Sequence, residues 1–133
     1  MLNIAKKTLW YDSLSNFKQQ HSFENRLKEA NRIKESYPDK IPIICENSPS
    51  SKLPNINKTK YLVPLDMSIG QYLYVIRRQL KLPAEKSLIL FINGSIPSTN
   101  KRIYDYYKSY QDLDGFLYVQ YGGENTFGAY KIT

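Results

Sequence analysis

The sequence has few of the residues that support covalent or metal-centred chemistry: its 133 residues include one cysteine, Cys45, and one histidine, His21. A single cysteine cannot form an internal disulfide, and a structural zinc site needs more ligands than these two. No apolar run approaches the roughly 20 residues of a membrane-spanning helix, and residues 1–20 lack the uninterrupted apolar stretch of a secretory signal. We therefore expect a cytoplasmic protein without a metal ion or another cofactor.

Acidic residues are also scarce relative to basic ones. Twelve Asp and Glu residues face 19 Lys and Arg residues, which gives a formal net charge of +7 and a pI near 9.4. This excess predicts attraction to an anionic partner, which could be an acidic peptide, a phosphate group or a membrane surface. The length suits one domain with a real hydrophobic core, and a mean hydropathy of -0.52 is typical of a soluble protein.

Two amphipathic helices are predicted from capping residues and apolar spacing. Ser22 is a good N-cap for the first, which continues to Tyr37 because Pro38 cannot extend it. Its expected inward stripe is Phe23, Leu27, Ala30, Ile33 and Tyr37, and its basic residues Arg26, Lys28, Arg32 and Lys34 lie elsewhere around it. Ser68 caps the second helix, and Gln71 three residues later can complete a capping box.

Apolar runs predict four strands, at residues 40–46, 61–64, 87–92 and 116–121. Pro42 lacks a backbone donor, so we expect the first strand near a sheet edge. The third run is almost continuously apolar and is expected to be a central strand, followed by a turn at Asn93-Gly94. A short helix before the last strand is expected to face inward through Ile103, Tyr107 and Tyr110.

The order of these elements predicts a fold of the α+β class. A strand pair, a helix, a strand, a short helix and a final strand form the β-grasp order, in which a four-stranded mixed sheet wraps a central helix. The final strand is expected beside the first. The basic helix at residues 22–37 is an addition to that plan.

The C-terminal end carries a second signal. The last strand is followed by Gly122-Gly123-Glu124-Asn125-Thr126-Phe127-Gly128 and then by residues 129–133. Cleavage after Gly128 would leave a carboxylate whose α-carbon has no side chain, so that an activating enzyme and a thiol could approach it closely. Such an end suits acyl transfer. An ordinary frayed, glycine-containing terminus is the alternative, and these residues alone leave it open.

Several blocks of the sequence resemble one known family. They are His21-Ser22-Phe23-Glu24, Tyr37-Pro38-Asp39, Ile41-Pro42-Ile43-Ile44, Lys60-Tyr61-Leu62-Val63-Pro64, Ile69-Gly70-Gln71, Ile76-Arg77, Asp114-Gly115-Phe116-Leu117-Tyr118 and Phe127-Gly128. Across residues 21–128 the chain resembles the GABARAP-like autophagy modifiers. The resemblance implies a ubiquitin-like domain over residues 21–121 with additional N-terminal helices. Residues 1–20 would then be a helical or flexible extension, residues 122–128 a flexible conjugation tail, and residues 129–133 a propeptide.

The resemblance also implies a function. A cysteine protease would cut after Gly128, E1-like and E2-like enzymes would carry the new end as a thioester, and the acyl group would pass to phosphatidylethanolamine on the autophagosome membrane. The chain would thus be an acyl donor in autophagosome formation and not an enzyme. A peptide-binding adaptor that acts in vesicle trafficking without conjugation is the main alternative.

A further implication of the resemblance is recognition of receptor and cargo proteins. Peptides with an aromatic residue, two spacers and an aliphatic residue, preceded by acids, would add as a strand to the sheet edge. The implied aromatic pocket comprises Glu29, Ile33, Pro42, Ile44, Lys60, Leu62 and Phe116. The implied aliphatic pocket comprises Tyr61, Val63, Pro64, Met67, Tyr72 and Val75, and a basic rim would include Arg32, Lys40, Lys58 and Arg77. Ordinary core packing is the alternative for the apolar members, and a solvated surface is the alternative for the cations.

Two features depart from the family pattern. Residues 1–20 exceed the usual N-terminal length, and Ser36 stands where a basic residue is common.

A thiol enzyme would use Cys45 and His21, but Cys45 lies in an alternating apolar strand typical of a buried thiol. Nucleic-acid binding would use the basic helix and the 12 tyrosines, yet these lack a glycine-flanked aromatic motif on one sheet face. We expect neither activity.

Overall fold

The structure is a computed structural model that describes residues 15–125 of the chain. In chain order its elements are α1 (Asn16–Gln20), α2 (Phe23–Ser36), β1 (Lys40–Asn47), β2 (Lys60–Pro64), α3 (Ile69–Leu80), β3 (Ile89–Phe91), α4 (Ile103–Tyr110) and β4 (Leu117–Gly122). The strands form one sheet in the order β2-β1-β4-β3, with β1 parallel to β4 and the other pairs antiparallel. This confirms the predicted mixed β-grasp sheet, with the last strand beside the first. Within residues 15–125 no helix is long and apolar enough to cross a membrane.

The starts of the two long helices follow from capping chemistry, as predicted. The Ser22 hydroxyl accepts a hydrogen bond from the Asn25 N–H at 3.2 Å, and α2 ends at its C-cap, Tyr37. At α3 the Ser68 hydroxyl accepts from the Gln71 N–H at 3.1 Å, while the Gln71 side-chain oxygen accepts from the Ser68 N–H at 2.9 Å. The capping box predicted from this spacing is therefore confirmed.

Alternating side chains of β1 divide the core into two parts. The main core lies between α3 and one face of the sheet, and it includes Ile41, Ile43, Cys45, Ile69, Tyr72, Ile76, Leu117, Val119 and Tyr121. A smaller cluster comprises Ala30, Ile33, Ile44, Phe116 and Tyr118, with Phe17 packed against it. We call it the back cluster. Because successive residues of a strand point to opposite faces, Ile44 belongs to the back cluster while its neighbours belong to the main core.

The predicted edge position of β1 is wrong, because β1 lies between β2 and β4. Its Cys45 N–H donates to the Thr59 carbonyl at 2.7 Å, on the β2 side. Since N–H groups alternate in direction along a strand, the nitrogen of Pro42 points towards the β4 side. Pairing with β4 begins only at Ile43, opposite Leu117, so the missing donor breaks no sheet hydrogen bond.

The predicted central position of the third strand is also wrong. β3 is shorter than residues 87–92 and lies at a sheet edge beside β4. Leu88, Leu90 and Ile92 are nevertheless buried in the main core. A continuous apolar run thus reflects burial of its side chains and does not reveal how many strands flank it. The predicted turn is confirmed, since Asn93 and Gly94 have φ values of 53° and 75°.

Three residues expected to face inward are instead exposed, and one basic residue is buried. Phe23, Tyr37 and Tyr110, which lie at helix ends, are 44%, 47% and 47% exposed. Arg26 is only 7% exposed, because its Nε lies 3.5 Å from the carboxylate of the fully buried Asp114. This partner is remote in sequence, so helical spacing alone could not indicate it.

Candidate functional site

β2 forms one edge of the sheet and presents an exposed apolar residue. Among the described strands its neighbour is β1, so its other side is open to an added strand. Leu62 is 38% exposed, whereas Tyr61 and Val63 are buried on the opposite face. In the register with β1, Leu62 lies opposite Pro42 and Lys60 lies opposite Ile44. Four predicted aromatic-pocket residues therefore share one face at this edge.

The remaining predicted aromatic-pocket residues adjoin this face. Ile33 and Phe116 join Ile44 in the back cluster, where the three side chains are 2%, 0% and 0% exposed, and Glu29 lies beside Lys60. Phe17 of α1 contacts Phe116 edge to face, with ring centroids 5.4 Å apart. These three residues are core residues in this structure, so they underlie the site, and its accessible surface is formed by Leu62 with the charged groups beside it.

An ion-pair network flanks Leu62. The Lys60 ammonium donates to Glu29 Oε1 at 2.5 Å, and Arg32 Nη2 lies 3.3 Å from the same oxygen. The hydrogen bond from Lys60 holds the pKa of the Glu29 carboxyl below its usual value, with a smaller contribution from Arg32. Two cations share one carboxylate here, so the surface has a surplus of positive charge and would attract an acidic peptide segment.

The predicted aliphatic-pocket residues separate into two groups. Tyr61, Val63 and Tyr72 are buried in the main core. The other three line an open groove of about 720 Å³ between the end of β2 and α3, which we call the β2–α3 groove; its lining is Pro64, Asp66, Met67, Ser68, Gly70, Gln71, Tyr74 and Val75. Tyr74, which is 61% exposed, was not among the predicted pocket residues. The apolar spacing of Ile69, Leu73, Ile76 and Leu80 predicts the inward stripe of α3, and the position of Tyr74 outside this stripe was the available signal.

The predicted basic rim has varied surroundings. Arg32 joins the ion-pair network described above, and Lys40 is half-exposed at the start of β1. The Lys58 ammonium lies over the Tyr61 ring, 5.0 Å from its centroid. Arg77 lies in the last turn of α3, where its guanidinium donates to the Pro83 carbonyl at 3.2 Å. The structure therefore places Arg77 at the C-terminal end of α3, away from the ion pairs of Glu29.

Cys45 has the environment of an inert thiol. Its side chain is fully buried, which confirms the predicted buried thiol, and burial raises its pKa to about 12. His21 is exposed at the end of α1, where its ring is tilted by 43° against that of Phe17, with the centroids 4.7 Å apart. Because a nucleophile must be ionised and accessible, Cys45 is unsuited to the thiol chemistry considered above. In residues 15–125 no three His, Cys, Asp or Glu side chains form a metal-binding group.

The C-terminal tail starts from a well-packed position. The Ser48 N–H donates to the Tyr121 carbonyl at 2.9 Å, and the Asn125 side-chain amide donates to the Ser50 carbonyl at 3.4 Å. The start of the tail therefore lies against the loop that follows β1. Gly128, the predicted cleavage and attachment residue, lies outside the described residues, as do residues 1–14 and 129–133.

Comparison with known proteins identifies the family. A family model described as "Autophagy protein Atg8 ubiquitin like" matches residues 25–128. Autophagy-related protein 8 of Scheffersomyces stipitis is 50% identical over 117 residues, which cover 88% of this chain and 84% of that protein. Autophagy-related protein 8e of Arabidopsis thaliana is 50% identical over 116 residues, covering 87% and 95%. The crystal structure of Trypanosoma brucei ATG8 superposes with a TM-score of 0.81 at 39% identity, covering 86% of this chain and 98% of that one. The chain therefore belongs to the Atg8 family of ubiquitin-like autophagy proteins.

Proposed function

We propose that this chain is a modifier joined through Gly128 to phosphatidylethanolamine and that it acts in autophagosome formation. The observation that carries this proposal is the family match, which extends through the tail to Gly128. The protein would be cytoplasmic before conjugation and bound to the autophagosome membrane afterwards. In this role it supplies the acyl group, and the catalytic groups belong to the conjugation enzymes.

The proposed chemistry uses the tail as the transferred group. A cysteine protease hydrolyses the bond between Gly128 and Ala129, and an E1-like enzyme activates the resulting carboxylate. Activation joins the carboxylate to AMP from ATP and releases pyrophosphate. The thiolate of the E1-like enzyme then displaces AMP to form a thioester, which the thiolate of an E2-like enzyme attacks in turn, releasing the first thiolate. The lipid amine then attacks the thioester carbonyl, an amide bond forms, and the enzyme's thiolate leaves. Gly128 suits these steps because an α-carbon without a side chain hinders the attacking groups least.

We also propose that the β2 edge binds receptor and cargo peptides with an aromatic-x-x-aliphatic motif. An added strand would hydrogen-bond to the open side of β2 and place its aromatic side chain on the face of Leu62. Its aliphatic side chain would enter the β2–α3 groove beside Pro64, Met67 and Val75. Acidic residues before the motif would lie near the cations that share Glu29.

Conjugation is tested with Gly128→Ala in cells that contain the processing and lipid-transfer enzymes. We expect loss of the cleaved species and of the lipidated species on a urea gel, without a change in folded-state stability. Gly123→Ala is the matched control, because an added Cβ there would meet atoms no closer than 3.4 Å, at ordinary packing distances, and Gly123 lies five residues before the residue that is cleaved and attached.

Normal lipidation of Gly128→Ala would contradict the assignment of the acceptor residue. A wild-type chain that stays unconjugated in such cells, yet binds the peptides, would favour the vesicle-trafficking adaptor. In that case the binding half of the proposal would remain, and the conjugation half would be rejected.

A further inference from the structure

The C-terminal end of α3 concentrates cations that the fold does not neutralise. Arg77, Arg78, Lys81 and Lys86 lie within ten residues that contain a single carboxylate, that of Glu85. We call these four cations the α3 basic end. None of the four forms an ion pair with a carboxylate in residues 15–125, whereas other cations, such as Lys18 and Lys60, do.

These cations point to a ligand outside the described part of the chain. Arg78, Lys81 and Lys86 are exposed, and Lys81 ends the helix with a φ of 54°. Cations at a helix C-terminus stabilise the helix by interacting with its dipole, but this local effect does not require four of them. The Arg78 guanidinium lies over the ring of the exposed Tyr74, 5.9 Å from its centroid. Exposed cations beside a tyrosine are typical of a surface that meets lipid headgroups.

The α3 basic end lies at the end of the sheet from which the tail departs. In the antiparallel β3–β4 pair, Ile89 lies opposite Gly122, so Lys86 precedes β3 on the side where the chain continues beyond β4. Gly128 follows Asn125 by three residues, and an extended chain of that length spans about 11 Å at most. An attachment at Gly128 would therefore hold Asn125 within about 11 Å of the attachment point, a distance of the same order as the Debye length of about 8 Å at physiological salt.

We propose that the α3 basic end binds anionic phospholipid headgroups and orients the conjugated protein with the C-terminal end of α3 against the membrane. This inference rests on the proposed attachment at Gly128. A lipid surface is favoured over an acidic peptide because the four cations lie at a helix end and in the following segment, and of the four only Arg78 contacts a residue that lines the β2–α3 groove, Tyr74. Headgroups need no groove, whereas an added peptide strand does.

The first experiment measures sedimentation of the unlipidated full chain with vesicles of phosphatidylcholine and phosphatidylserine, compared with phosphatidylcholine alone. The test variant is Arg78→Gln/Lys81→Gln/Lys86→Gln. The control is Lys28→Gln/Lys101→Gln/Lys108→Gln, which removes the same charge from exposed positions outside the α3 basic end and outside the proposed peptide site. Each cation near an anionic surface contributes about fivefold in affinity, so we expect the test variant to bind on the order of 100-fold more weakly. An equal loss in the control would overturn the proposal, since it would show a response to net charge alone.

The second experiment tethers the protein without any conjugation enzyme. Gly128→Cys is coupled to a maleimide lipid in the vesicles, which is selective because Cys45 is fully buried. We expect the anionic vesicles, but not the neutral ones, to protect Lys81 and Lys86 from acylation, while Lys101 reacts equally on both.

Equal acylation of Lys81 and Lys86 on both vesicle types would overturn the headgroup proposal and leave the conjugation proposal standing. Protection by a glutamate-rich peptide but not by vesicles would also overturn it, in favour of a protein partner. The tether needs no conjugation enzyme. Lipidation of Gly128→Ala in cells would therefore reject Gly128 as the natural attachment residue, and it would not bear on whether the α3 basic end binds headgroups.

Discussion

At the residue scale, Cys45 illustrates how burial controls reactivity. Burial raises the pKa of the Cys45 thiol to about 12, so the thiol stays protonated at pH 8, and the side chain has no exposed surface. We expect iodoacetamide to label native protein far more slowly than guanidinium-unfolded protein, as measured by intact mass. Equal labelling rates in the two states would contradict the buried position of Cys45.

Leu62 allows a direct test of the proposed peptide site. Leu62→Ala removes apolar area from the exposed β2 face and should weaken binding of an aromatic-x-x-aliphatic peptide by about tenfold. Isothermal titration measures this change, and the melting temperature should hardly move because Leu62 is already 38% exposed. Leu113→Ala is the matched control, since Leu113 is 82% exposed and lies outside β2. Equal affinity of the two variants would argue against the β2 site.

At the element scale, α1 is held against the body by both polar and aromatic contacts. The Ser15 hydroxyl and the Phe17 N–H donate to the two carboxylate oxygens of Glu46, at 2.8 and 3.0 Å. The Lys18 ammonium pairs with Asp112 at 2.6 Å. Together these contacts place the Phe17 ring over the back cluster. A helix of five residues is too short to be stable alone, so its position depends on these contacts.

We therefore expect Glu46→Ala to release α1. Loss of the charged acceptor should lower the free energy of unfolding by about 1.5–3 kcal/mol, as measured by urea denaturation. Hydrogen exchange should become faster in residues 15–21 while the amides of β4 stay protected. Glu85→Ala is the control, since Glu85 is exposed and forms no ion pair with a described residue. Unchanged exchange in α1 would show that the Lys18–Asp112 ion pair and the aromatic contacts hold it without Glu46.

The existence of the elements could be predicted from local chemistry, whereas their places in the sheet could not. Ser22 and Ser68 mark their helices because capping involves residues three positions apart. The interior position of β1 depends on where β4 pairs with it, which the local effect of Pro42 does not reveal. Burial of Arg26 likewise depends on Asp114, a partner 88 positions away.

The candidate site, too, could be predicted only in part from the sequence. Resemblance to a family indicated its residues, and the β1–β2 register places Pro42, Ile44, Lys60 and Leu62 on one face. The burial of Ile33, Ile44 and Phe116 agrees with the core packing considered as the alternative for the apolar members, whereas Leu62 is exposed and Tyr74, which lines the groove, was not among the predicted residues. These features depend on packing between α2, α3 and the sheet.

At the scale of the whole molecule, the topology separates the two proposed activities. The open side of β2 lies at one edge of the sheet, while the tail continues from β4, which lies between β1 and β3. A peptide added to β2 would therefore not occupy the strand that leads to the tail. The protein could remain attached at Gly128 and bind a receptor at the same time.

The most direct test of this account is the intact mass of the protein isolated from its own cells, with the conjugation enzymes active. We predict a species that ends at Gly128, together with a form heavier by one phosphatidylethanolamine less one water. A population that consists only of chains ending at Thr133 would contradict the account.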